Sequence, residues 1–326
     1  MLLMKNTEII VSICCTTYNQ SPYIRQCLDG FLIQKTDFPI EIVIHDDAST
    51  DGTDDIIRGY ELKYPDLFKP IYQTENQFSK SIHLPVKLTY EKAVGKYIAI
   101  CEGDDYWTDP YKLQKQVDFL EQHSDYSLCY SKILRYDQKR KKILRGTFGI
   151  ENITFNDLLS EGNQIPTASI CLNRNMIVRY YSEIKPELKN WLMGDYPLVL
   201  WFAHNCKIYC LNEVTAIYRV LELSVSHITN IQKLEAFYNS IIDIKCYFLN
   251  LYNEAIHLDD FYDEKYLNLA YRASLINDYM LYKENILKIK QNNKMITIKK
   301  IIGSCHFFFL LYHYYVIIRE KFNNIK

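Results

Sequence analysis

The first 125 residues alternate between short, continuous apolar runs and segments whose apolar residues recur at helical spacing. The runs at residues 9–15, 40–44, 68–72 and 97–101 predict strands that are buried on both faces. Helices are predicted to start at Ser21–Pro22, at Thr53, near Val86 and at Asp109–Pro110. Because strand–helix units of this length join parallel strands, the pattern predicts a parallel sheet with helices on both faces.

Polar clusters follow three of the four predicted strands. They lie at residues 16–19, 46–47 and 102–105. In open α/β sheets, ligands bind at the carboxyl ends of the strands. We therefore expect the functional site at these three clusters.

The cluster after the second strand admits two interpretations. Carboxylates at Asp46 and Asp47 can accept hydrogen bonds from a nucleobase imide or from a ribose hydroxyl. The same segment also fits a helix start, with Asp51 and Thr53 as capping residues and with Asp46 and Asp47 solvated. The segment by itself leaves both open.

The cluster after the fourth strand holds three acids within four residues, Glu102, Asp104 and Asp105. Crowded carboxylates raise one another's pKa unless a cation neutralises them. Oxygen ligands of this kind suit Mg²⁺ or Mn²⁺. Gly103 between them allows a close backbone approach. An acidic surface turn is the alternative, but the neighbouring Trp107 fits a solvated turn poorly.

Composition narrows the class of protein. In 326 residues, 39 acidic side chains nearly cancel 38 basic ones, whereas a nucleic-acid binder usually carries a basic excess. The ten cysteines form no C-x-x-C pair, which speaks against a zinc ribbon or a redox dithiol. The N-terminus lacks the long apolar core of a signal peptide, so we expect a cytoplasmic protein with reduced thiols. The 28 tyrosines fit sugar contacts or plain compositional bias.

Several nucleotide-binding classes are disfavoured by the segment after the first strand. Residues 16–20 contain no glycine, so the G-x-G-x-x-G motif of nicotinamide-dependent enzymes is missing. A P-loop is also missing, as is the glycine-rich, basic loop with which sugar nucleotidyltransferases normally open.

The chain resembles the family 2 glycosyltransferases, whose GT-A fold is an α/β fold with a Rossmann-like mixed sheet and helices on both faces. The resemblance covers roughly residues 8–227. It rests on the ordered stretches VSICCTTYNQSPYIRQCL, IEIVIHDDASTDGTDDI, GKYIAICEGDDYWTDPYKLQKQVDFL, GDYPLVL and AIYRVLELSVSH. It implies a catalytic domain at residues 1–227 and a helical C-terminal extension at residues 228–326.

The resemblance implies that two strand ends bind the nucleotide of a nucleotide-sugar donor, most plausibly a UDP-sugar. Thr16, Tyr18 and Asn19 would lie near the base and the ribose. Asp47, with Asp46 beside it, would contact the same groups.

The resemblance also implies a divalent cation, Mn²⁺ or Mg²⁺. Glu102 and Asp104 stand where the family has its Asp-x-Asp motif, so Asp104 would ligate the metal, with Asp105 close to the metal or the sugar. Glu102 is one methylene longer than the family's Asp, which puts its direct contact with the nucleotide in question. Arg219 would lie near the diphosphate. His227 would be a third metal ligand, a phosphate contact or a structural residue.

Asp195 occupies the position of the family's catalytic base. It would take the proton of an acceptor hydroxyl as that hydroxyl attacks the anomeric carbon from the face opposite the diphosphate, which inverts the sugar. Trp191 and Trp201 flank it and would either stack on sugar rings or belong to the core. The alternative to an enzyme is a non-catalytic nucleotide-sugar-binding protein of the same fold.

The C-terminal region predicts long helices at residues 231–252 and 265–290. Residues 301–318 carry no formal charge and have basic flanks. This segment fits docking on an anionic membrane surface, packing on the catalytic domain or, less readily, spanning a bilayer. Docking would suit a lipid-linked or saccharide acceptor in polysaccharide biosynthesis, with the enzyme peripheral on the inner face of the cytoplasmic membrane.

Overall fold

A computed structural model describes residues 8–221 and 230–325, with side chains up to residue 320. The chain divides into two compact units, Met1–Glu222 and Leu223–Lys326. His227, a candidate metal ligand, lies outside the described residues.

The first unit is built on a mixed sheet of nine strands within the described residues, in the order β3-β2-β1-β4-β8-β6-β9-β5, with β7 beside β6. The strands are β1 Val11–Thr17, β2 Ile40–Asp46, β3 Ile71–Tyr72, β4 Tyr97–Ile100, β5 Tyr106–Trp107, β6 Tyr126–Asp137, β7 Lys142–Ile143, β8 Cys171–Asn173 and β9 Lys207–Val220.

The prediction of parallel strands is confirmed for the first half of this sheet. Strands β1 to β4 run parallel to their neighbours among themselves, whereas β8 runs antiparallel to β4 and β6. Strand β5 is antiparallel to β9, which is itself parallel to β6. The predicted strand at residues 68–72 is reduced to an isolated bridge at Phe68 and the two residues of β3. Pro70 lies between them and has no N–H to donate to a ladder.

Seven helices accompany the sheet in the described part of this unit. They are α1 Ile24–Leu32, α2 Thr53–Lys63, α3 Leu84–Lys92, α4 Lys112–Gln122, α5 Phe155–Glu161, α6 Arg174–Ile184 and α7 Asp195–Asn205. The core between β1, β2, β4 and the helices α1, α2 and α4 includes Ile13, Ile44, Leu28 and Leu113, all fully buried.

The prediction that Thr53 caps the second helix is wrong. Gly52 is the N-cap residue, with a φ of 87° that glycine tolerates best, and Thr53 is the first helical residue. Asp51 supports this start, because its carboxylate accepts from the Thr53 backbone N–H over 3.1 Å. The Thr53 hydroxyl instead accepts from the backbone N–H of Gln20 over 2.8 Å, which ties the loop after β1 to the start of α2.

The second unit consists of helices in its described part. They are α8 Ile231–Tyr252, α9 Asp259–Leu275, α10 Tyr279–Lys288, α11 Lys294–Ser304 and α12 His306–Ile325. The prediction of a helix at residues 231–252 is confirmed. The single helix predicted at residues 265–290 is wrong, because Asn277 takes a left-handed φ of 60° and Asp278 caps α10 by accepting from the Leu281 backbone N–H.

The uncharged stretch at residues 301–318 is broken at Cys305, between α11 and α12. Within the described residues, we find no single helix long and apolar enough to cross a bilayer. Helices α11 and α12 meet that criterion of length and composition only when taken together, and they are bent by 119°.

Candidate active site

Three strand ends bring the predicted polar clusters together. Strands β2, β1 and β4 are neighbours and parallel, so their carboxyl ends share one edge of the sheet. Backbone hydrogen bonds continue beyond the strands: the Asp47 N–H donates to Thr17 O, and the Gly103 N–H donates to Thr16 O, each over 3.0 Å. The loops at residues 16–19, 46–47 and 102–105 therefore form one continuous surface.

The loop after β1 is held by Asn19. This residue has a left-handed φ of 51°, its Oδ1 accepts from the Thr50 N–H over 2.8 Å, and its own N–H donates to Ser49 Oγ over 2.9 Å. The neighbouring Tyr18 ring is 47% exposed, and Thr16 is half-buried. The loop thus presents an aromatic ring to solvent beside the sheet edge.

Asp46 and Asp47 are both buried, so the interpretation that they are solvated is wrong. Asp47 Oδ1 accepts from the Gln77 N–H over 2.7 Å, and its Oδ2 accepts from the Phe78 N–H over 2.9 Å. Asp47 therefore anchors the segment after β3. Asp46 Oδ2 accepts from the Ser49 N–H, whereas its Oδ1 is buried without a protein partner. Burial raises the pKa of Asp46.

Gly103 permits the close approach of the acidic loop to the loop after β1. A Cβ atom at this position would lie 2.5 Å from Gln20 Oε1 and 2.9 Å from Thr17 Oγ1. Such contacts are far shorter than normal van der Waals distances, so the loop geometry requires glycine.

All three acids around Gly103 have raised pKa values, with burial as the largest cause, and the neighbouring charges that the sequence predicted contribute for Glu102 and Asp105. Burial, followed by the charges of Asp104 and Asp195, raises the pKa of Glu102 to about 8. Burial raises the pKa of Asp104, and burial with the charges of Asp104 and Glu102 raises that of Asp105. Without a cation, this loop therefore holds protons that a divalent ion would replace, and its all-oxygen donor set fits Mg²⁺ or Mn²⁺.

A preformed metal cage is not part of the described structure. Across residues 8–221 and 230–325, we find no cluster of three or more His, Cys, Asp or Glu side chains placed to hold a metal ion. Asp105 is 2% exposed, and its Oδ1 accepts from the Arg219 N–H over 2.8 Å. Asp104 and Glu102 are the more accessible acids of the loop.

Arg219 stabilises the acidic loop at residues 102–105 through a hydrogen bond to its backbone. Its Nε donates to the Asp104 carbonyl over 2.6 Å, and its terminal nitrogens donate to Gln138 Oε1 and Gln26 Oε1 over 3.2 and 2.5 Å. The guanidinium carbon lies 5.1 Å from the Tyr23 ring centroid and 4.8 Å from that of Tyr106. Arg219 is only 5% exposed, and each of its three guanidinium nitrogens donates to an oxygen of the protein. Its described contacts therefore hold the Asp104 backbone in place.

Asp195 is the first residue of α7, and two side chains fix its carboxylate. Asn163 Nδ2 donates to Asp195 Oδ2 over 2.7 Å, and Thr167 Oγ1 donates to the same oxygen over 3.2 Å. Asp195 Oδ1 accepts from the Tyr196 N–H over 2.9 Å. The Asp195 charge contributes to raising the pKa of Glu102, after burial and the Asp104 charge.

Three further residues belong to this site, and two of them, Asn163 and Thr167, were missed from the sequence. Asn163 and Thr167 lie in the loop after α5, where no motif distinguishes them. Tyr218 on β9 also lies among the acids, since the charges of Asp105, Asp104, Glu102 and Asp195 all add to the effect of burial in raising its pKa. The sequence indicated Tyr218, because it lies in the stretch AIYRVLELSVSH that carries the family resemblance.

Trp191 and Trp201 are core residues, 2% and 0% exposed. The Trp201 Nε1–H donates to Glu183 Oε2 over 3.0 Å. The interpretation of these rings as part of the core is thus confirmed, and stacking on a sugar would require them to be exposed.

The chain belongs to glycosyl transferase family 2, whose sequence model matches residues 12–181. An uncharacterized protein of Mycobacterium tuberculosis is 38% identical over 210 residues, which are 64% of this chain and 58% of that protein. The putative teichuronic acid biosynthesis glycosyltransferase TuaG of Bacillus subtilis is 27% identical over 228 residues, 68% of this chain and 84% of TuaG. The aligned part of the chain thus spans little more than half of the mycobacterial relative.

Solved structures share the fold. Residues 1–349 of Staphylococcus aureus TarS in complex with UDP superpose with a TM-score of 0.55 at 16% identity, covering 98% of this chain and 92% of that fragment. The mannosyltransferase PcManGT of Pyrobaculum calidifontis, in complex with GDP-Man and Mn²⁺, superposes with a TM-score of 0.53 at 16% identity, covering 95% and 88%. These likenesses establish the GT-A fold.

Proposed function

We propose that this glycosyltransferase moves a sugar from a nucleotide-diphosphate donor, a UDP-sugar, to a hydroxyl of a saccharide or lipid-linked acceptor, with inversion of the anomeric centre. The observation that carries the proposal is the loop of three acids at the carboxyl ends of adjacent parallel strands, where the Gly103 N–H donates to Thr16 O over 3.0 Å. The domain assignment that goes with it is catalysis by residues 1–227 and a helical extension at 228–326.

The donor's nucleoside binds at the ends of β1 and β2. The buried Asp46 Oδ1 has no protein partner and is a ready acceptor for a base N–H or a ribose hydroxyl. The exposed Tyr18 ring offers a stacking surface beside it, with Thr16 and Asn19 in the same loop. Asp47 acts by holding the segment at residues 77–78. The UDP complex of the structurally similar TarS supports the choice of a UDP-sugar.

The donor's diphosphate binds at the acidic loop through Mn²⁺ or Mg²⁺. Asp104 would hold the ion, with Glu102 and Asp105 beside it, and the ion would supply positive charge that stabilises the departing diphosphate. The raised pKa values of these acids and their all-oxygen chemistry support this assignment. The Mn²⁺ complex of PcManGT is consistent with it. Arg219 keeps the loop in place and adds positive charge behind it.

Asp195 accepts the proton of the attacking hydroxyl. Asn163 and Thr167 hold Oδ2, so the carboxylate has a fixed orientation before the acceptor arrives. Attack from the face opposite the diphosphate forms the new glycosidic bond as the donor bond breaks, which inverts the sugar. The similarity to TuaG, a putative teichuronic acid biosynthesis glycosyltransferase, supports a place in polysaccharide assembly. We assign the enzyme to the cytoplasmic side of the membrane, peripherally attached.

A donor screen with the full chain tests the proposal. Each nucleotide sugar is incubated with Mn²⁺ and candidate saccharide acceptors, and released nucleoside diphosphate is identified by mass spectrometry. Asp195→Asn is expected to stop transfer and spare donor binding, whereas Asp104→Asn is expected to weaken donor binding in Mn²⁺ as well. A donor that binds and is never cleaved would favour the non-catalytic alternative. Unchanged turnover in EDTA would contradict the metal assignment.

A further inference from the structure

Helices α11 and α12 each bury only a narrow stripe. In α11 the buried residues are Ile296 and Gly303, and in α12 they include Phe309 and Val316. Each pair is spaced by seven residues, so it marks a single line along the helix. Ile296 and Phe309 pack into the core of the second unit with Tyr282 and Ile286. Ile302 and Tyr312 are partly buried against the same core, so only the outward faces of the two helices could carry polar residues without a packing cost.

The outward faces of α11 and α12 are instead strongly apolar. Six side chains, each between 47% and 65% exposed, form what we term the C-terminal apolar surface: Ile301, Phe307, Phe308, Leu311, Tyr314 and Ile318. Phe307, Leu311, Tyr314 and Ile318 recur at helical spacing on one side of α12. Contiguous exposed apolar surface of this kind marks a site of interaction with a membrane or a protein.

The charges around this surface decide between those partners. Lys294, Lys299, Lys300 and Arg319 lie on the same two helices, and none of the four forms an ion pair within the described residues. Burial, followed by the Arg319 charge, lowers the pKa of Lys299. Lys300 donates to the Ile289 carbonyl over 3.0 Å. Exposed apolar side chains on two helices that also carry cations outside ion pairs complement anionic lipid headgroups above an acyl layer.

A second copy of the chain is a poor occupant. Symmetric pairing brings the same patch of both subunits together, which would face these cations with their own copies. Lipid also explains the aromatic content of the surface, because Tyr and Phe side chains suit the headgroup boundary. The bend of 119° between the two helices leaves both able to lie in one interfacial plane.

We propose that the C-terminal apolar surface docks on an anionic membrane, with its phenylalanines and Leu311 in the acyl boundary and its cations at the lipid phosphates. Docking brings the chain to the surface where a lipid-linked acceptor resides. In this respect the proposal deepens the proposed function, although lipid binding itself requires no catalysis.

Flotation of the full-length protein with vesicles tests the proposal without donor or acceptor. One vesicle type contains phosphatidylcholine alone, and the other also contains about one third phosphatidylglycerol. Wild type is expected to float with the anionic vesicles and to be released by salt. Phe308→Glu with Leu311→Glu is expected to abolish flotation. The matched control is Leu62→Glu with Leu188→Glu, which changes two residues that are 84% and 76% exposed in the first unit.

A second variant keeps the test decisive if the glutamates disturb the helices. Lys294→Gln with Arg319→Gln is expected to reduce partitioning about fivefold per cation, roughly 25-fold for the pair. Lys142→Gln with Arg145→Gln, two exposed residues of the first unit, is the matched control. Equal flotation of the variants and their controls would overturn the proposal. So would failure of wild type to bind anionic vesicles, or a change confined to self-association in sedimentation.

Transfer to a water-soluble acceptor, measured on the same proteins, separates this inference from the proposed function. Docking variants are expected to retain wild-type turnover there. Absence of transfer in wild type with intact flotation would contradict the proposed function and leave the docking surface supported.

Discussion

Asn163 donates a hydrogen bond from Nδ2 to Asp195 Oδ2 over 2.7 Å, across 32 residues of sequence. Thr167 donates to the same oxygen, whereas Oδ1 accepts from the Tyr196 backbone N–H at the start of α7. The carboxylate of Asp195, at the start of α7, is therefore oriented by side chains from the segment that follows α5. A carboxylate held in this way loses less orientational freedom when an acceptor hydroxyl approaches.

Replacing Asn163 with Ala is expected to lower kcat by about tenfold or more, because a hydrogen bond to a charged group contributes about 1.5–3 kcal/mol. The KM for the donor should change little, because Asn163 contacts the Asp195 carboxylate and not the acidic loop at residues 102–105. Steady-state kinetics with varied donor provide the measurement. Asn156→Ala, at an exposed position of α5, is the control. Equal kcat values for the two variants would remove Asn163 from a positioning role.

Replacing Gly103 with Ala is expected to displace the acidic loop, because the new Cβ would lie 2.5 Å from Gln20 Oε1. Overpacking of this kind costs about 1–3 kcal/mol in the free energy of unfolding. UDP affinity in Mn²⁺ should fall as well, and calorimetric titration measures it. Gly59→Ala is the control: it lies within α2 with nothing within 4 Å of the added atom, so it should stabilise slightly. A Gly103→Ala protein with wild-type UDP affinity would contradict the close approach.

The strand ends were predictable from the sequence for a local reason. A continuous apolar run such as β1 predicts a strand that is buried on both faces, and this prediction does not depend on knowing the neighbouring strands. The polar residues that follow the run mark the carboxyl end of the strand. The raised pKa values of Glu102 and Asp105 were predictable in part, because the sequence shows three acids within four positions, although burial is the larger cause for both groups. Gly103 was singled out for close approach on the same local grounds.

The partners of these residues were not predictable, because they come from distant segments. Nothing near Asp195 indicates Asn163, and nothing near Arg219 indicates that Gln26 would take one of its nitrogens. The break of the predicted 265–290 helix did have a local signal in Asn277 and Asp278. The helical spacing of apolar residues on both sides favoured one continuous helix over this local signal. A residue in the left-handed conformation changes the direction of the chain but leaves that apolar spacing unchanged.

Replacing Arg219 with Lys keeps the charge and removes the planar fork that reaches Gln26, Gln138 and the Asp104 carbonyl together. The free energy of unfolding is expected to fall by about 2–3 kcal/mol, as for the loss of buried hydrogen bonds to a charged group. Chemical denaturation measures this change. Arg145→Lys, at an exposed position, should change it by less than about 0.5 kcal/mol. Should Arg219→Lys retain full stability and lose only diphosphate affinity, Arg219 would be a ligand contact and not a brace.

Stability without metal is expected to fall as the pH rises from about 4.5 to about 8. The pKa of Glu102 is raised from 4.5 to about 8 in the folded protein, mainly by burial. Between these values the folded state keeps a proton that the unfolded state releases, so raising the pH favours unfolding. Glu102→Gln, which cannot titrate, should reduce this slope in thermal unfolding with EDTA, whereas Glu161→Gln at an exposed position of α5 should not.

The same titration predicts the opposite trend for metal binding. Mn²⁺ must displace the proton shared by the acidic loop, so Mn²⁺ affinity is expected to rise with pH until about 8 and then level off. In Glu102→Gln the rise should be smaller, and saturating Mn²⁺ should restore the stability that wild type loses at high pH. Titration calorimetry at pH 6, 7 and 8 measures this. Mn²⁺ affinity that is independent of pH in wild type would show that Glu102 is ionised before the ion arrives, and the link between the acidic loop and the metal would fail.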